Sequence, residues 1–494
     1  MNPELNKEFE KLKKDVARQM ESIPKALFNS SFGLISEILD SSEILINVPK
    51  YNITNHKALL SKNDSGGFTI DIENILSDMS ETYDIEILIG NNIYIVSELF
   101  ISMRGTTLKR NEHNEYFSGR LVFTGQIHEL TNQTSNDKEL YNRFIIPTGT
   151  SKIDYYVNTN GYQDESELHA FGRLPIQVDG CNLVLYEKKF RDKYHFIIDS
   201  NNPINSEIFS NICHSIMIGF GFLSADFIQN DAFYITSDSR DFNTIIGFSY
   251  LQLRPSISSK GTCNPIYSNP YGYTKDESII NKIGNRIDVF DSTIFSTLCT
   301  KVYKEQDYAT LILLILEANI SSLILRPAGY SVALEKITNI IVEENKGLKP
   351  IPDKQISKSF RKNLNEVLIS FSTEIKNVGN EDSLIILQKN IDKINNPTNR
   401  DKLTKPFGIY GIDLNQGDIN AIDNRNNFLH GRNIKIDENS DEFLEIYQIS
   451  LRLNKLINKL ILKHIGFSGI VINHLKHNER SFDFEIEENL FEVI

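Results

Sequence analysis

The feature that most constrains the fold is a change in hydrophobic periodicity about halfway along the chain. From residue 33 to 254, short runs such as Glu43-Ile44-Leu45-Ile46-Asn47-Val48 alternate apolar and polar residues, which is the period of a half-buried strand. After residue 275, apolar residues recur at helical spacing instead. The change predicts a multidomain α+β protein, with a β-rich N-terminal half followed by an all-α C-terminal half.

Turn-forming residues divide the chain further. Gly90-Asn91-Asn92 joins two alternating runs as a hairpin turn would, and Gly219-Phe220-Gly221-Phe222 is also expected to form a turn. Proline, glycine and serine are concentrated between the two halves, as in a linker. The predicted segments are an N-terminal amphipathic helix in 1–30, a β-rich module in 31–254 that a polar connection near 148–166 would split in two, a linker in 255–275, and a helical domain in 276–494.

Composition limits the possible partners and the compartment. A net charge of −13 over 494 residues argues against a chain that coats nucleic acid with its whole surface, so any RNA contact requires a local basic patch. The four cysteines, Cys181, Cys213, Cys263 and Cys299, show no metal-ligand spacing and predict reduced thiols. The polar N-terminus and the short apolar runs predict a cytoplasmic protein with no membrane partner. The lack of a paired Cys/His cluster, a P-loop, a Rossmann glycine pattern and an HExxH motif predicts no metal and no cofactor.

One stretch in the helical half combines groups that can act on a phosphate. Asp418 is suited to be the N-cap of a helix and Gly431 to end it. Arg425 and His430 would lie about 140° apart around that helix with a rise of about 7.5 Å, so both side chains can reach one phosphate. The spacing alone is a weak signal, and a capped surface helix with a solvated Arg and His explains it equally well.

The amino-acid sequence of this stretch resembles that of a known family. Arg425-Asn426-Asn427-Phe428-Leu429-His430-Gly431 resembles the R-x(4–6)-H motif of HEPN ribonucleases, in which a polar residue follows the arginine. Upstream, Tyr330-Ser331-Val332-Ala333-Leu334-Glu335-Lys336-Ile337 is similar to the family helix that contains "ALE". The resemblance covers about residues 300–475 and is closest to ApeA-like proteins of bacterial anti-phage defence.

The resemblance implies a HEPN-type helical bundle and a composite site, in which the motif helices of two subunits face each other. It also implies metal-independent cleavage of RNA, in which the 2′-OH attacks its own phosphate and leaves a 2′,3′-cyclic phosphate. His430 would be the general acid and base, Arg425 would stabilise the phosphorane, and Asn426 would bind the phosphate or position the partner's His. Glu335 would orient or balance the Arg-His pair, although a solvent-facing helix glutamate is an equally good interpretation.

A row of cations on the last long helix is the candidate RNA-binding surface. Arg452, Lys455, Lys459 and Lys463 follow one another at helical spacing. Two interpretations stay open: the solvated face of an amphipathic helix, or a track for RNA phosphates. The track would be supplemented by Lys354, Lys358, Arg361 and Lys362.

The resemblance implies two alternative functions. In the first, the chain is a homodimeric HEPN endoribonuclease, a toxin of abortive infection whose substrates would include tRNA anticodon loops and whose β-rich half senses a phage-derived trigger. In the second, it is a non-catalytic HEPN-type dimerisation or ligand-binding module that senses a phage component. His464, His474 and His477 are expected to be structural or exposed in either case.

Overall fold

The computed structural model describes most of the chain. The described residues are 21–23, 27–64, 66–73, 82–110, 116–132, 138–149, 152–163, 168–228, 231–253, 263–345, 349–379, 382–429, 441–479 and 485–494. The expected N-terminal helix falls largely on residues 1–20, outside these ranges, and Glu21–Ser22 is a short strand rather than part of a helix.

The first half of the chain is β-rich, as predicted. Its strands are β1 Glu21–Ser22, β2 Glu43–Val48, β3 Ile53–Lys62, β4 Phe68–Glu73, β5 Thr82–Ile89, β6 Asn92–Arg110, β7 Tyr116–Ile127, β8 Glu129–Thr131, β9 Tyr141–Gly149, β10 Asn160–Gln163, β11 Leu168–Val178, β12 Cys181–Phe190, β13 Lys193–Ser200, β14 Asp231–Ser237 and β15 Ile245–Gln252. Two helices interrupt them, α1 Asn29–Asp40 and α2 Ser206–Ser224.

These strands form one sheet of two parts. The strand order is β1-β10-β11-β12-β13-β9-β14-β15-β8-β6-β5-β2-β3-β4-β7, and an additional β6–β7 pairing closes the last six strands into a ring. The change from ring to open sheet therefore follows β7, earlier than the predicted division near 148–166. Gly90 and Asn91 form the hairpin turn between β5 and β6, because Ile89 pairs with Asn92 and Gly90 has a φ of 57°.

Alternation along the strands fills the ring with apolar side chains. In β2 the buried residues are Ile44, Ile46 and Val48, and in β4 every second residue from Phe68 is buried. Since successive side chains of a strand point to opposite faces, the alternating pattern of the sequence places one set inside the ring.

A buried arginine, Arg143, joins the open part of the sheet to α1. Arg143 on β9 donates from Nε and Nη2 to both carboxylate oxygens of Asp199 on β13, each at 2.7 Å. Its Nη1 donates to the Leu27 carbonyl and to Ser31 Oγ beside α1, and its guanidinium lies 4.0 Å from the Phe242 ring centroid. The arginine is fully buried, and these partners satisfy it.

The second half of the chain is helical, as predicted. Its described helices are α3 Glu277–Ile283, α4 Ser292–Lys304, α5 Gln306–Ile320, α6 Arg326–Glu344, α7 Lys354–Ser370, α8 Ser372–Val378, α9 Ser383–Lys393, α10 Asn399–Ile409, α11 Gln416–Leu429, α12 Asp441–His464 and α13 His474–His477. A two-stranded sheet near the C-terminus pairs β16 Ile470–Ile472 with β17 Phe491–Val493.

The division into units falls partly within the predicted linker 255–275 and partly further along the chain, after residue 309. One compact unit comprises Met1–Gly261 and Ile266–Ala309, and the other Thr262–Pro265 and Thr310–Ile494. Helix α4 belongs to the β-rich unit because its apolar face, including Leu298 and Cys299, packs against α2. Gly219 is inside helix α2 rather than in a turn, and a Cβ there would lie 3.2 Å from Cys299 Sγ.

In the second unit, α6 is the central helix. It packs against α10, α11 and α12, and its buried residues include Tyr330, Leu334 and Ile337.

All four cysteines of the chain are thiols, as predicted. Among the described helices, none is long and apolar enough to cross a bilayer.

Replacing Arg143 by methionine is expected to destabilise the β-rich unit by roughly 3–5 kcal/mol, because the Asp199 carboxylate is left buried without its cation. Chemical denaturation measures the loss. Arg191→Met is the matched control, since the Arg191–Asp40 pair is exposed and its removal should cost at most about 1 kcal/mol. Equal losses in the two variants would contradict this account.

Candidate active site on the helical unit

The motif helix α11 begins with a reciprocal cap. Asn415 Oδ1 accepts from the backbone N–H of Asp418 at 2.9 Å, and Asp418 Oδ2 accepts from the backbone N–H of Asn415 at 3.3 Å. This arrangement is a capping box, which satisfies two N–H groups at the helix start. The N-cap is thus Asn415 and not the predicted Asp418, which occupies the first turn.

Asp418 is also part of a buried group of charges on α12. We use the name α12 charge cluster for Arg452, Lys455 and Lys459 together with Asp418, Glu488 and Glu492. Lys455 Nζ lies 3.2 Å from Asp418 Oδ1 and 2.9 Å from Glu488 Oε2, and Arg452 Nη1 lies 2.6 Å from Glu488 Oε1. Lys459 pairs with Glu492.

This geometry corrects the predicted RNA-binding role of Arg452, Lys455 and Lys459. Their side chains are only 14%, 4% and 10% exposed, and each is paired with carboxylates of the same chain. They are therefore neither a solvated face nor an open phosphate track, because the C-terminal segment carrying Glu488 and Glu492 covers them. Lys463, the last residue of the predicted row, is partly exposed in the final turn of α12.

Burial and charge act in opposite directions inside the cluster. Burial alone would raise the pKa of Glu488, but Lys455 and Arg452 outweigh it and lower that pKa to about 2. Burial alone would lower the pKa of Lys455, but Asp418, Glu492 and Glu488 raise it above its usual value. Glu488 and Lys455 are therefore held in their charged forms, and Asn473 adds hydrogen bonds to Glu488 and Glu492.

Nearly three turns beyond the cap, Arg425 lies against α6. Its Nη2 is 2.9 Å from Oε1 of Glu335, and the Arg425 side chain is 6% exposed while that of Glu335 is 40% exposed. The two segments that carry the family resemblance, 90 positions apart in sequence, are therefore joined by an ion pair at the edge of the unit. The carboxylate that the sequence suggested as a partner of Arg425 does contact it.

The structure describes less of the other predicted site residues. His430 falls in residues 430–440, outside the described ranges, and Asn426 is in α11 with a side chain that is also outside them. Asp423, close to Arg425 in sequence, faces elsewhere and lies 3.6 Å from Arg400 on α10. Across the described part of the chain, no group of three or more His, Cys, Asp or Glu is arranged to hold a metal ion.

A second polar contact was missed by the sequence reasoning. Tyr410 Oη lies 3.0 Å from Nδ1 of His464, and Nε2 of His464 lies 3.5 Å from Glu344. These residues come from the ends of α10, α12 and α6, so their meeting has no signal in local spacing. His474, by contrast, is buried against the Asn264 carbonyl, and burial lowers its pKa to about 4, which fits the predicted structural role.

The β-rich unit carries a separate polar cleft of about 910 Å³ between β11, β12 and α4. Its lining includes Arg240, three asparagines and several hydroxyl groups of α4. Two of those hydroxyls bind the backbone of the sheet, since Ser296 accepts from the Gln177 N–H and Thr300 from the Asp179 N–H. Part of the lining therefore holds α4 in place.

Comparison with known families, curated proteins and solved structures finds no match to this chain.

The charge cluster makes stability depend on pH in a defined window. Because the pKa of Glu488 is about 2 in the folded protein against an ordinary 4.5, its carboxylate stabilises the fold above pH 4.5, and this contribution disappears as the pH falls toward 2. Glu488→Gln is expected to cost about 3 kcal/mol near pH 6 and almost nothing near pH 2. Denaturation at several pH values measures the difference.

The neighbouring Glu487→Gln is the control, because Glu487 is exposed. A cost of Glu488→Gln that does not change with pH would show that the carboxylate does not titrate as described.

Proposed function

We propose that this chain is a HEPN-type, metal-independent endoribonuclease of anti-phage defence that acts as a homodimer. The observation that carries the proposal is the contact between Arg425 on α11 and Glu335 on α6. Both residues belong to the segments in which the sequence resembles this family, and a resemblance arising by chance gives no reason for the two segments to meet. The proposed substrate is RNA, with tRNA loops as the first candidate.

In the proposed reaction, the ribose 2′-OH attacks the adjacent phosphorus and the 5′-oxygen of the next nucleotide leaves. His430 removes the proton from the 2′-OH or delivers one to the leaving oxygen, with the partner subunit's copy taking the other role. Arg425 stabilises the added negative charge on the phosphorane, and Asn426 donates a hydrogen bond to a phosphate oxygen. The products are a 2′,3′-cyclic phosphate and a 5′-OH end.

In this proposal, Glu335 neutralises the charge of Arg425 before substrate binds. Its carboxylate occupies one donor of the guanidinium, so a phosphate that binds Arg425 competes with it. Since the carboxylate is 40% exposed, it can turn toward solvent when RNA arrives. In this proposal the resting pair is neutral, and the substrate phosphate takes the place of Glu335.

A second candidate function is a non-catalytic HEPN-type module that dimerises and senses a phage component through the β-rich unit. The burial of Arg425 favours it, because a 6% exposed arginine paired with a carboxylate is also what a structural ion pair looks like. The two candidates differ in whether RNA is cut.

The purified chain is expected to cleave total RNA in EDTA and to leave 2′,3′-cyclic phosphate ends. Arg425→Ala and His430→Ala should each lower the rate by at least about 100-fold, since each removes a group that acts in the transition state. Expression of the wild type should arrest growth, and expression of either variant should not.

Asp423→Ala, on the same helix but exposed, is the control and should keep the activity. Equal growth arrest by the wild type and the Arg425 and His430 variants, or a strict requirement for Mg²⁺, would rule out the proposed nuclease and its mechanism.

Glu335→Gln is expected to lower the KM for RNA about fivefold with little change in kcat. The amide keeps the shape of the side chain but no longer competes as an anion, and a half-exposed ion pair is worth up to about 1 kcal/mol. Steady-state cleavage of an RNA oligonucleotide separates the two constants. A higher KM together with a lower kcat would mean that Glu335 orients Arg425 for the reaction instead of competing with phosphate.

A further inference from the structure

The polar cleft of the β-rich unit lies where several strands of the open sheet begin or end. Its lining comes from the end of β11, the start of β12, the residues after β13, the loop between β14 and β15, and one face of α4. Asn201, which follows β13, is fixed at this end of the sheet because its N–H donates to the Asn182 carbonyl at 3.0 Å. All of these elements belong to one compact unit. The volume of about 910 Å³ is within the range of small-molecule sites.

Helix α4 contributes a polar wall to the cleft. Its lining residues carry hydroxyl groups, with one ammonium at the end: Ser292, Thr293, Ser296, Thr297, Thr300 and Lys301. At 100° per residue they occupy one half of the helix surface over a rise of about 13.5 Å. The opposite half is apolar and buried, and it packs against α2. A hydroxyl group both donates and accepts, so this wall can bond to the hydroxyl groups of a ligand.

The charge of the lining is positive, although the chain as a whole is acidic. Among the described residues that line the cleft, the charged ones are Arg240 and Lys301, and none is a carboxylate. Arg240 is exposed, and its Nη2 donates to Asn201 Oδ1 at 3.0 Å. Lys301 Nζ lies 3.6 Å from Glu305 Oε1, outside the lining, which is longer than a charge-assisted hydrogen bond. A ligand phosphate can therefore displace Glu305 and bind these cations.

The uncharged groups narrow the class of ligand further. The lining includes the side-chain amides of Gln177, Asn182, Asn201 and Asn202, which both donate and accept. Gln177 Nε2 donates to Asn182 Oδ1 at 3.1 Å, so two of these amides are held together at the end of the β11–β12 hairpin. None of the described lining residues is aromatic, so the cleft offers a nucleobase no ring on which to stack. The lining therefore matches a ligand that combines phosphate with several hydroxyl groups.

We propose that this cleft binds a phosphorylated sugar. Arg240 and Lys301 bind phosphate, and the amides and the hydroxyl groups of α4 bond to the sugar hydroxyls. Hydrogen bonds to a charged group are roughly twice as strong as neutral ones, so the two cations supply most of the affinity and the neutral groups supply the selectivity. The proposal concerns the β-rich unit and does not rest on nuclease activity.

Isothermal titration calorimetry of the full chain tests the ligand class. The probes are ribose 5-phosphate, glucose 6-phosphate and fructose 1,6-bisphosphate, and at least one should bind with a Kd of about 100 µM or less. The parent sugars and inorganic phosphate should bind at least about tenfold more weakly, since each makes only part of the contacts. AMP, which adds a base to ribose 5-phosphate, should bind no tighter than ribose 5-phosphate, because the lining has no ring for the base.

Substitutions test whether the cleft is the site. Arg240→Gln and Lys301→Gln should each weaken the sugar phosphate at least about tenfold, because each removes a charge-assisted hydrogen bond. Thr293→Val should weaken the sugar phosphate but not inorganic phosphate. Lys304→Gln is the matched control: it removes the same charge from the same turn of α4, but Lys304 is outside the lining and pairs with Asp179, so the affinity should not change.

Four results would overturn the proposal. They are no binding by any of the three sugar phosphates, inorganic phosphate binding as tightly as they do, AMP binding more than about tenfold tighter than ribose 5-phosphate, or an equal loss of affinity in the Lys301 and Lys304 variants. Arg425→Ala should bind the ligand as the wild type does, which separates a failure of this site from a failure of the nuclease assignment.

Discussion

The helical unit depends on the neutralisation of three cations in its interior. Arg452, Lys455 and Lys459 lie on a face of α12 that is buried, and a buried ammonium or guanidinium costs several kcal/mol unless carboxylates and further hydrogen bonds surround it. Asp418 from the start of α11 and two glutamates from the C-terminal segment supply that charge. The same contacts tie three distant parts of the chain together, so the position of the motif helix follows from electrostatics as much as from apolar packing. Gly417 permits this, because a Cβ there would lie 2.5 Å from Cζ of Arg452.

The geometry of the candidate site depends on the α12 charge cluster. The cap at Asn415 and the contacts of Asp418 fix the first turn of α11, and Ala421 and Ile422 pack it into the unit. Arg425 then meets Glu335 of α6. A guanidinium in that position is already oriented, which is what transition-state stabilisation requires, but it is also neutralised until another anion replaces the carboxylate. Under the proposed function, the ion pair that stabilises the resting protein would also oppose the binding of a substrate phosphate at this contact.

Buried charges have partners within the chain in both units, whereas some apolar side chains of the helical unit stay exposed. The buried charges are satisfied within the chain, as Arg143 is by Asp199 and as the α12 charge cluster is by its own carboxylates. On helices α7 and α9, by contrast, Ile356, Ile369 and Ile385 are each more than half exposed. The physical reason is that an unpaired buried charge is far more costly than an exposed methyl group.

The sequence by itself determined the fold class, because alternation with a period of two and recurrence at helical spacing are local properties that give strands and helices wherever they occur. It also singled out the Glu335 and Arg425 segments through the residues that resemble a known family, and the structure brings these two residues into contact. Only the tertiary structure decided the boundary between the units, the closure of the ring by β6 and β7, and the burial of Arg452, Lys455 and Lys459. Each of these depends on residues far apart in the chain. In the sequence of an amphipathic helix, a row of lysines beside an apolar face gives the same pattern in two cases: when water covers the lysines and when a distant acidic segment covers them.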